Sequence, residues 1–230
     1  MYKESFLMAW ASLIANKLRS LLTMLGIIIG VAAVIALVSI GNGVKQDIED
    51  SISSLGSNLL VVLPGAPRTP GARSSQGSMK SLKISDYEAI AKLEGVKAAS
   101  PMTNGSYVVI YQNKNWTTSV AGVNSNFQDV NNWTMTSGRF FSDKNVQNRE
   151  RVAVVGQTVV KNLFADEDPV GKEIRVKNIP FRVIGVLKSK GNGTMGNDQD
   201  DTVLIPYTTS MERVEGIDYL RRVYVVAKDD

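Results

Sequence analysis

The sequence predicts an α+β protein in which one N-terminal transmembrane helix, with a stalk, precedes a folded extracytoplasmic domain. Three observations predict this fold class. A long uncharged run lies near the start, helical and strand-like patterns alternate after it, and clusters of glycine, proline and polar residues separate those patterns.

The uncharged run extends over Ser20–Val44, and its central part reads LLTMLGIIIGVAAVIALVSI. About 20 apolar residues, at ~1.5 Å of rise each, cover the ~30 Å hydrocarbon core of a bilayer. A helix can lie there because it satisfies its own backbone hydrogen bonds without water. The sequence therefore predicts a transmembrane helix over residues 20–43.

The charges that flank the run predict its orientation. Lys3, Lys17 and Arg19 precede it against a single acid, Glu4, whereas acidic residues dominate the segment just after Lys45. Basic residues near the end of a span are retained in the cytoplasm. We therefore expect the N-terminus inside a bacterial cytoplasmic membrane and the residues after about 44 outside it.

A cleaved signal peptide is the alternative interpretation of the run. Signal peptides have a short basic start, an apolar core of about 7–15 residues and a small-x-small cleavage site. Here the core is longer, and Ser39–Gly43 is a poor cleavage site. The features favour a retained anchor.

The segment before the run, residues 1–19, has the pattern of an amphipathic helix. Its apolar residues recur at spacings of three and four, which puts them on one helical face: Phe6, Trp10, Leu13, Ile14 and Leu18. We expect a cytoplasmic interfacial helix in which Trp10, Lys17 and Arg19 anchor the chain to lipid headgroups. A plain cytoplasmic extension of the span is the alternative.

After the run, helical spacing continues and predicts a stalk over residues 44–56. The apolar positions of this pattern are Val44, Ile48, Ile52 and Leu55, and Gly56 ends it as a cap.

Within the run, Gly26 and Gly30 form a G-x-x-x-G pattern. Two glycines on one face allow a second helix to approach closely in lipid, so we expect a packing face there. The alternative is that glycine is simply frequent in membrane helices.

The remaining chain, 57–230, predicts short strands and helices of an α+β domain. Asn58–Leu63 reads as a buried strand, and the capping box Ser85–Glu88 predicts a helix of about ten residues. The other predicted strands are Val96–Ser100, Ser106–Gln112, Thr117–Val123, Arg151–Val155, Glu173–Val176, Phe181–Leu187, Thr202–Ile205 and Arg222–Val226, with helices at Thr158–Phe164 and near Thr208–Val214.

Composition excludes several classes of function. The chain has no cysteine and no histidine, which removes thiolate metal sites and every Ser-His-Asp or Cys-His catalytic group. Without the first 19 residues the charge is near neutral, so nucleic-acid binding has no electrostatic support. No G-x-x-x-x-G-K-[ST] motif is present in this sequence. We expect no catalytic, metal or cofactor-binding residues in it.

Two patterns near residue 195 suggest ligands only weakly. Gly191–Gly196 fits G-x-G-x-x-G, but acidic residues and a strand follow it instead of the helix that a dinucleotide loop needs. Asp198, Asp200 and Asp201 lack the full ligand set of a calcium loop. A solvated acidic hairpin is the favoured interpretation.

Several sequence motifs, in order along the chain, together resemble the MacB/FtsX-type permeases. The N-terminal motif, Asn16–Val31, is the most specific. The others are Ser54–Leu60 with Pro64 and Gly65, then Pro101, Gly138–Phe140, Pro169–Gly171, Val183–Leu187 and Asp200–Pro206, which match the MacB-like periplasmic core pattern. The resemblance covers essentially the whole chain.

The resemblance implies the N-terminal half of the permease subunit of an ABC-type efflux system, non-enzymatic by itself. It implies two exported lobes, one porter-like with a β-α-β unit and one β-rich and inserted at roughly 124–206. It also implies membrane lipid as surroundings, an ABC ATP-binding subunit that hydrolyses ATP, a homodimer or pseudo-dimer with another permease, and a membrane-fusion adaptor. ATP-driven motion would pass through the stalk to the exported domain.

The family pattern has three further spanning helices after the exported domain, which we expect on a missing part or on another chain. Two alternative functions stay open at this point. One is a signal-anchored sensor or binding module, and the other is an FtsX-like regulator of cell-wall hydrolases.

Overall fold

The structure is a computed structural model that describes residues 3–6, 8, 10, 16–55, 58–65, 80–165, 167–193 and 196–228, with the side chains of all of these except 46–55. Met1–Asp50 and Ser51–Asp230 form two compact units. The second unit has the mixed helix and strand content that the sequence predicts.

Helices occur in both units, and strands lie in the second. The described helices are α1 (Lys17–Leu55), α2 (Ile84–Ala91), α3 (Phe127–Val130), α4 (Asp143–Gln147), α5 (Gln157–Leu163) and α6 (Tyr207–Thr209), and α6 continues into a π-helix (Ser210–Glu215). The described strands are β1 (Leu59–Val62), β2 (Val96–Tyr111), β3 (Lys114–Val123), β4 (Met135–Gly138), β5 (Val152–Val155), β6 (Glu173–Val176), β7 (Ile179–Leu187), β8 (Thr202–Pro206) and β9 (Arg222–Ala227).

Strand β2 has 16 residues and belongs to two sheets. Its first half pairs with β9, up to Met102 opposite Arg222, and its second half pairs with β3 from Thr103 opposite Gly122 onward. The sequence pattern wrongly predicts two separate strands here, because Pro101 interrupts it. Each half forms a complete hydrogen-bonded ladder with a different partner strand. This pairing outweighs the low local preference of proline for strands.

The first sheet consists of β1, β9 and the first half of β2, all antiparallel to their neighbours. Its core also takes side chains from outside the sheet and contains Leu82, Ala99, Met211, Leu220, Val223 and Val225. The prediction of a buried β1 is wrong, since Leu60 is 59% and Val61 46% exposed. Among the described strands β1 pairs only with β9, so its outer edge lies open.

The second sheet closes on itself as a ring. In order around it, β2 pairs with β3, β3 with β8, β8 with β5, β5 with β7, β7 with β6, and β6 with β2 again. The β3–β8 and β5–β7 ladders are parallel. A closed ring removes open sheet edges and points alternate side chains into one core.

The core of the ring is apolar and fully enclosed. Ile174, Phe181 and Val183 on the β6–β7 hairpin are 0% exposed, as is Leu163 on α5. These side chains belong to one cluster with Val109, Val120, Val155 and Val203 from the other strands of the ring. A second cluster includes Phe127 of α3, Val146 of α4 and Val154 of β5.

Two local predictions need correction. Helix α2 begins at Ile84 rather than after a Ser85 cap, because the backbone N–H of Lys83 donates to the Asp86 carboxylate at 2.8 Å. The helix predicted near Thr208–Val214 is α-helical only at its start and then widens into the π-helix, which Gly216 ends with φ +66°.

Phe181→Ala should destabilise the second unit by about 3–5 kcal/mol, because it removes a fully buried ring from a core that cannot collapse around the gap. The matched control is Val108→Ala in β2, where the side chain is 48% exposed, and it should change the free energy of unfolding by less than about 0.5 kcal/mol. Urea unfolding of the full chain in detergent, followed by tryptophan fluorescence, measures both. Equal losses from the two changes would contradict the enclosed core.

Candidate functional site

Helix α1 is the most prominent candidate site in the first unit. It has 39 residues, and within its part Lys17–Lys45 an 18-residue window has a mean hydropathy of 2.9 and no buried residue. Among the described residues this is the helix that is long and apolar enough to cross a membrane, by length and composition. Its exposed apolar side chains include Leu22, Ile27, Ile35 and Leu37.

Gly26 and Gly30 lie one turn apart on α1, as the sequence predicts. A Cβ atom built at either glycine meets no heavy atom within 4 Å. The backbone is therefore accessible on this face of the helix within the described chain. Accessibility allows a second helix to approach, and packing at these glycines remains a prediction.

The three predicted interface anchors lie near the start of α1. Trp10 is 58% exposed and stacks on Phe6, with ring centroids 6.4 Å apart. Lys17 and Arg19 are in the first turn of α1 and are exposed. The Thr23 hydroxyl donates to the backbone carbonyl oxygen of Arg19 at 2.9 Å, which satisfies a polar group that would otherwise face lipid.

The predicted stalk coincides with the last part of α1, because the helix runs without a break through Gly41 and Gly43 to Leu55. Val44 is 53% exposed. The side chains of Ile48, Ile52 and Leu55 lie outside the described residues, so the apolar face of the stalk stays a prediction.

The acidic residues near 200 bind protein donors. The Asp200 carboxylate, 5% exposed, accepts from the backbone N–H groups of Lys190 at 2.8 Å and Gly191 at 3.1 Å, and from the Ser189 hydroxyl. Asp198 accepts from the Thr158 hydroxyl at 2.6 Å, and Asp201 from the Trp116 indole at 2.8 Å. The expected solvated hairpin is therefore wrong for Asp200, which holds the base of the loop together.

Lys190 is a half-buried cation that the sequence did not single out. Its ammonium lies 4.5 Å from the centroid of the Trp133 ring and donates to the backbone carbonyl of Asn131. Burial lowers the pKa of Lys190, and the nearby Asp200 charge partly opposes that shift. Together with Asp200, this contact fixes the loop that follows β7 against α3.

Tyr111, Glu167 and Lys172 form a hydrogen-bonded group at the end of β2. The Tyr111 hydroxyl donates to Glu167 Oε2 at 2.6 Å, and Lys172 Nζ lies 3.4 Å from Glu167 Oε1. The hydrogen bond from Tyr111, followed by that from Lys172, lowers the pKa of the Glu167 carboxyl. The same carboxylate raises the pKa of Tyr111 and of Lys172.

The hydrogen bonds of these polar groups go to other groups of the protein. In the part of the chain that the structure describes, no group of three or more acidic, histidine or cysteine side chains is arranged to hold a metal ion. The acidic side chains near 200 are occupied by protein donors. The described chain contains an exposed apolar helix in its first unit and a β-rich second unit.

Comparison with known families decides the wider class. The family model of the MacB-like periplasmic core domain matches residues 20–230. The chain belongs to this family. The predicted resemblance is thereby confirmed, and the match includes α1 from Ser20 onward and the whole second unit.

Curated relatives extend the match over nearly the full sequence. The macrolide export ATP-binding/permease protein MacB of Rhodospirillum rubrum is 44% identical over 230 residues, which is 99% of this chain and 35% of that protein. Its counterpart from Chlorobium luteolum is 41% identical over 218 residues, or 94% of this chain and 33% of that protein. The chain thus spans about a third of the length of these relatives.

Solved structures share the fold of the second unit. The periplasmic region of MacB from Actinobacillus actinomycetemcomitans aligns with a TM-score of 0.66 at 28% identity, covering 78% of each chain. The extracellular domain of the ABC-type transporter YknZ from Gram-positive bacteria aligns with a TM-score of 0.61 at 20% identity, covering 75% of this chain and 84% of that one. The second likeness supports the fold alone.

Acidification should destabilise the wild-type chain more steeply than Glu167→Gln. The folded-state pKa of Glu167 lies below its ordinary value of 4.5, so its ionised form stabilises the fold at neutral pH. That contribution is fully present above the unfolded pKa and is lost as the pH falls through the lower folded pKa. Because Glu167 is half exposed, we expect a small difference.

The measurement is the urea midpoint of the full chain between pH 7 and pH 3. The matched control is Glu94→Gln, which changes an exposed carboxylate just before β2. Its urea midpoint should depend on pH as steeply as that of the wild type. If the urea midpoint of Glu167→Gln falls with pH as steeply as that of the wild type, this hydrogen-bonded group does not contribute to the pH dependence of stability.

Proposed function

We propose that this chain is the N-terminal half of the permease subunit of an ABC-type export system. In this role it carries ATP-driven motion from the cytoplasm through α1 to the extracytoplasmic domain. The observation that carries the proposal is one family match that includes both the apolar helix and the β-rich unit. A continuous helix of 39 residues is a stiff connection between a membrane and a folded domain.

The proposed topology follows from charge and hydropathy. We assign residues 1–19 to a cytoplasmic interfacial segment and residues 20–43 to the span. Residues 44–56 are the stalk, and residues 57–230 are the exported domain. Basic residues before the span keep the N-terminus inside. Lipid surrounds the exposed apolar side chains of the span, which would otherwise form an unusually large apolar surface in water.

The two exported lobes are assigned to the two sheets. The sheet of β1, β9 and the first half of β2, with α2, is the porter-like lobe. The ring is the β-rich lobe, which the resemblance centres on residues 124–206. Because β2 and β3 contribute to the ring, the assigned lobe begins inside β2.

ATP hydrolysis is assigned to another part of the assembly. The relatives are named as ATP-binding and permease proteins, and this chain covers about a third of their length. Its sequence contains no P-loop motif. The proposed partners are an ABC ATP-binding subunit, a second permease and a membrane-fusion adaptor. The proposed substrate class, macrolides, comes from the names of the relatives.

The topology predicts opposite labelling of two engineered cysteines in a chain that has none of its own. Asn113→Cys lies on the exposed β2–β3 turn and should react with a membrane-impermeant maleimide on intact spheroplasts. Glu4→Cys should react only after the membrane is permeabilised. Labelling of both positions on intact spheroplasts, or of Glu4→Cys alone, would contradict the proposed function.

The glycine face predicts contact between two copies of α1. Ala33→Cys follows Gly26 and Gly30 on the same helical face, so oxidation in native membranes should produce a disulfide-linked dimer. Adding Gly30→Leu should reduce that dimer to a small fraction, because the larger side chain separates the two backbones.

The matched control is Ala32→Leu, which adds similar bulk on the opposite side of the helix, two residues or about 200° away from Gly30. It should leave the crosslink intact. Equal crosslinking in Gly30→Leu and Ala32→Leu would show that the glycine face makes no helix contact.

A further inference from the structure

A buried polar chain lies where β2 passes from one sheet to the other. The hydroxyl oxygens of Thr103 and Ser210 are 2.9 Å apart, and the two residues are 0% and 1% exposed. Ser210 Oγ donates to Glu215 Oε1 at 3.1 Å. A serine hydroxyl has one proton, and Ser210 gives it to Glu215, so Thr103 must be the donor to Ser210. The donors therefore run in one order, from Thr103 to Ser210 to Glu215.

The polar chain ends on an ion pair between the buried Glu215 and Arg221, whose side chain is 42% exposed. The Glu215 side chain is 2% exposed, and its Oε2 lies 3.7 Å from Arg221 Nη2. Burying a carboxylate is costly unless a cation and hydrogen-bond donors compensate for the lost hydration. The Ser210 hydroxyl donates to Oε1, whereas Oε2 has no hydrogen-bond partner among the described residues and faces only the Arg221 charge. Glu215 is therefore contacted from two sides.

These four residues connect both crossings of the backbone between the sheets. Thr103 is the first residue of β2 to pair with β3, directly after the last pair with β9. Ser210 and Glu215 bound the π-helix through which the chain returns from β8 to β9. The backbone N–H of Arg221 also donates to the Met102 carbonyl at 3.0 Å.

The contact at the crossing leaves little space for movement. Gly122 lies opposite Thr103 in the β2–β3 ladder. A Cβ added at Gly122 would lie 2.4 Å from Ser210 Cβ and 2.5 Å from Thr103 Oγ1. The π-helix is thus pressed directly against the ladder of the ring. From the β6–β7 turn, Lys177 Nζ donates to the Val214 carbonyl at 3.0 Å and holds the π-helix from the ring side.

We propose that Thr103, Ser210, Glu215 and Arg221 form a polar latch that fixes the angle between the two sheets. Glu215 is its central positioning residue. A π-helix is a rare and costly element that occurs mainly where function requires a side chain in a particular place. Here it brings Ser210 and Glu215 to the same crossing. The role of the latch rests on the proposed function, since a rigid angle allows displacement of one lobe to move the other.

The test measures the angle between the sheets in the full chain in detergent. Spin labels on Leu93→Cys, beyond α2, and Asn113→Cys, at the β2–β3 turn, report one distance between the sheets, because the chain has no other cysteine. Glu215→Gln keeps the shape of the side chain and removes its charge, so the distance distribution should broaden. The matched control is Glu212→Gln on the same π-helix, where the carboxylate pairs with Arg149 at 2.8 Å but is 53% exposed. It should keep the wild-type width.

Hydrogen exchange on the same proteins provides the second measurement. Glu215→Gln should accelerate exchange of the Ile217 and Arg221 amides by about 10-fold or more, the factor expected for loss of a charge-assisted hydrogen bond. The β5–β7 ladder should exchange at the wild-type rate. Ser210→Ala and Thr103→Val are milder changes that should produce the same two effects if Glu215→Gln does not fold.

Two results would overturn the latch: an unchanged distance distribution in Ser210→Ala and Glu215→Gln, or equal broadening in Glu215→Gln and Glu212→Gln. Neither measurement involves the ATP-binding partner or the membrane orientation. Failure of the latch therefore leaves the cysteine-labelling result intact, and failure of the topology leaves the distance measurement intact.

Discussion

The pairing of β2 with different strands along its two halves is the constraint on which the second unit depends. The first half completes a sheet with β9, and the second half begins the ring with β3 and closes it with β6. This one strand therefore belongs to both sheets and connects them. A register slip in β2 would move the apolar side chains of both cores to the wrong face at once.

A second constraint applies to α1, and it comes from the solvent. In a hydrocarbon layer every backbone polar group must bond within its own segment, and a continuous helix meets that demand. Polar side chains in the helix meet it locally, as Thr23 does through the Arg19 carbonyl. The same continuity extends the helix through Gly41 and Gly43, where soluble helices are weakened by glycine.

Polar groups of the second unit hold its loops and the crossing between the two sheets. Asp200 anchors the loop after β7, Lys190 packs on Trp133, and Glu167 joins the end of β2 to the segment after α5. In the described part of the chain each of these charges is occupied by a protein partner. These contacts tie loops and strand ends to the rest of the second unit.

The sequence by itself determined the apolar helix, most strands of the second unit and the family, because hydropathy, strand periodicity and short motifs are local properties. It also singled out Gly26, Gly30, Lys17 and Arg19 on α1, whose packing and anchoring roles stay predictions. Only the tertiary structure decided that β2 is continuous through Pro101, that β1 is an exposed edge, and that Thr103, Ser210 and Glu215 meet. Those outcomes depend on which strands pair and which side chains are buried against each other. Residues more than 100 positions apart, such as Thr103 and Ser210, leave no trace of that contact in a local pattern.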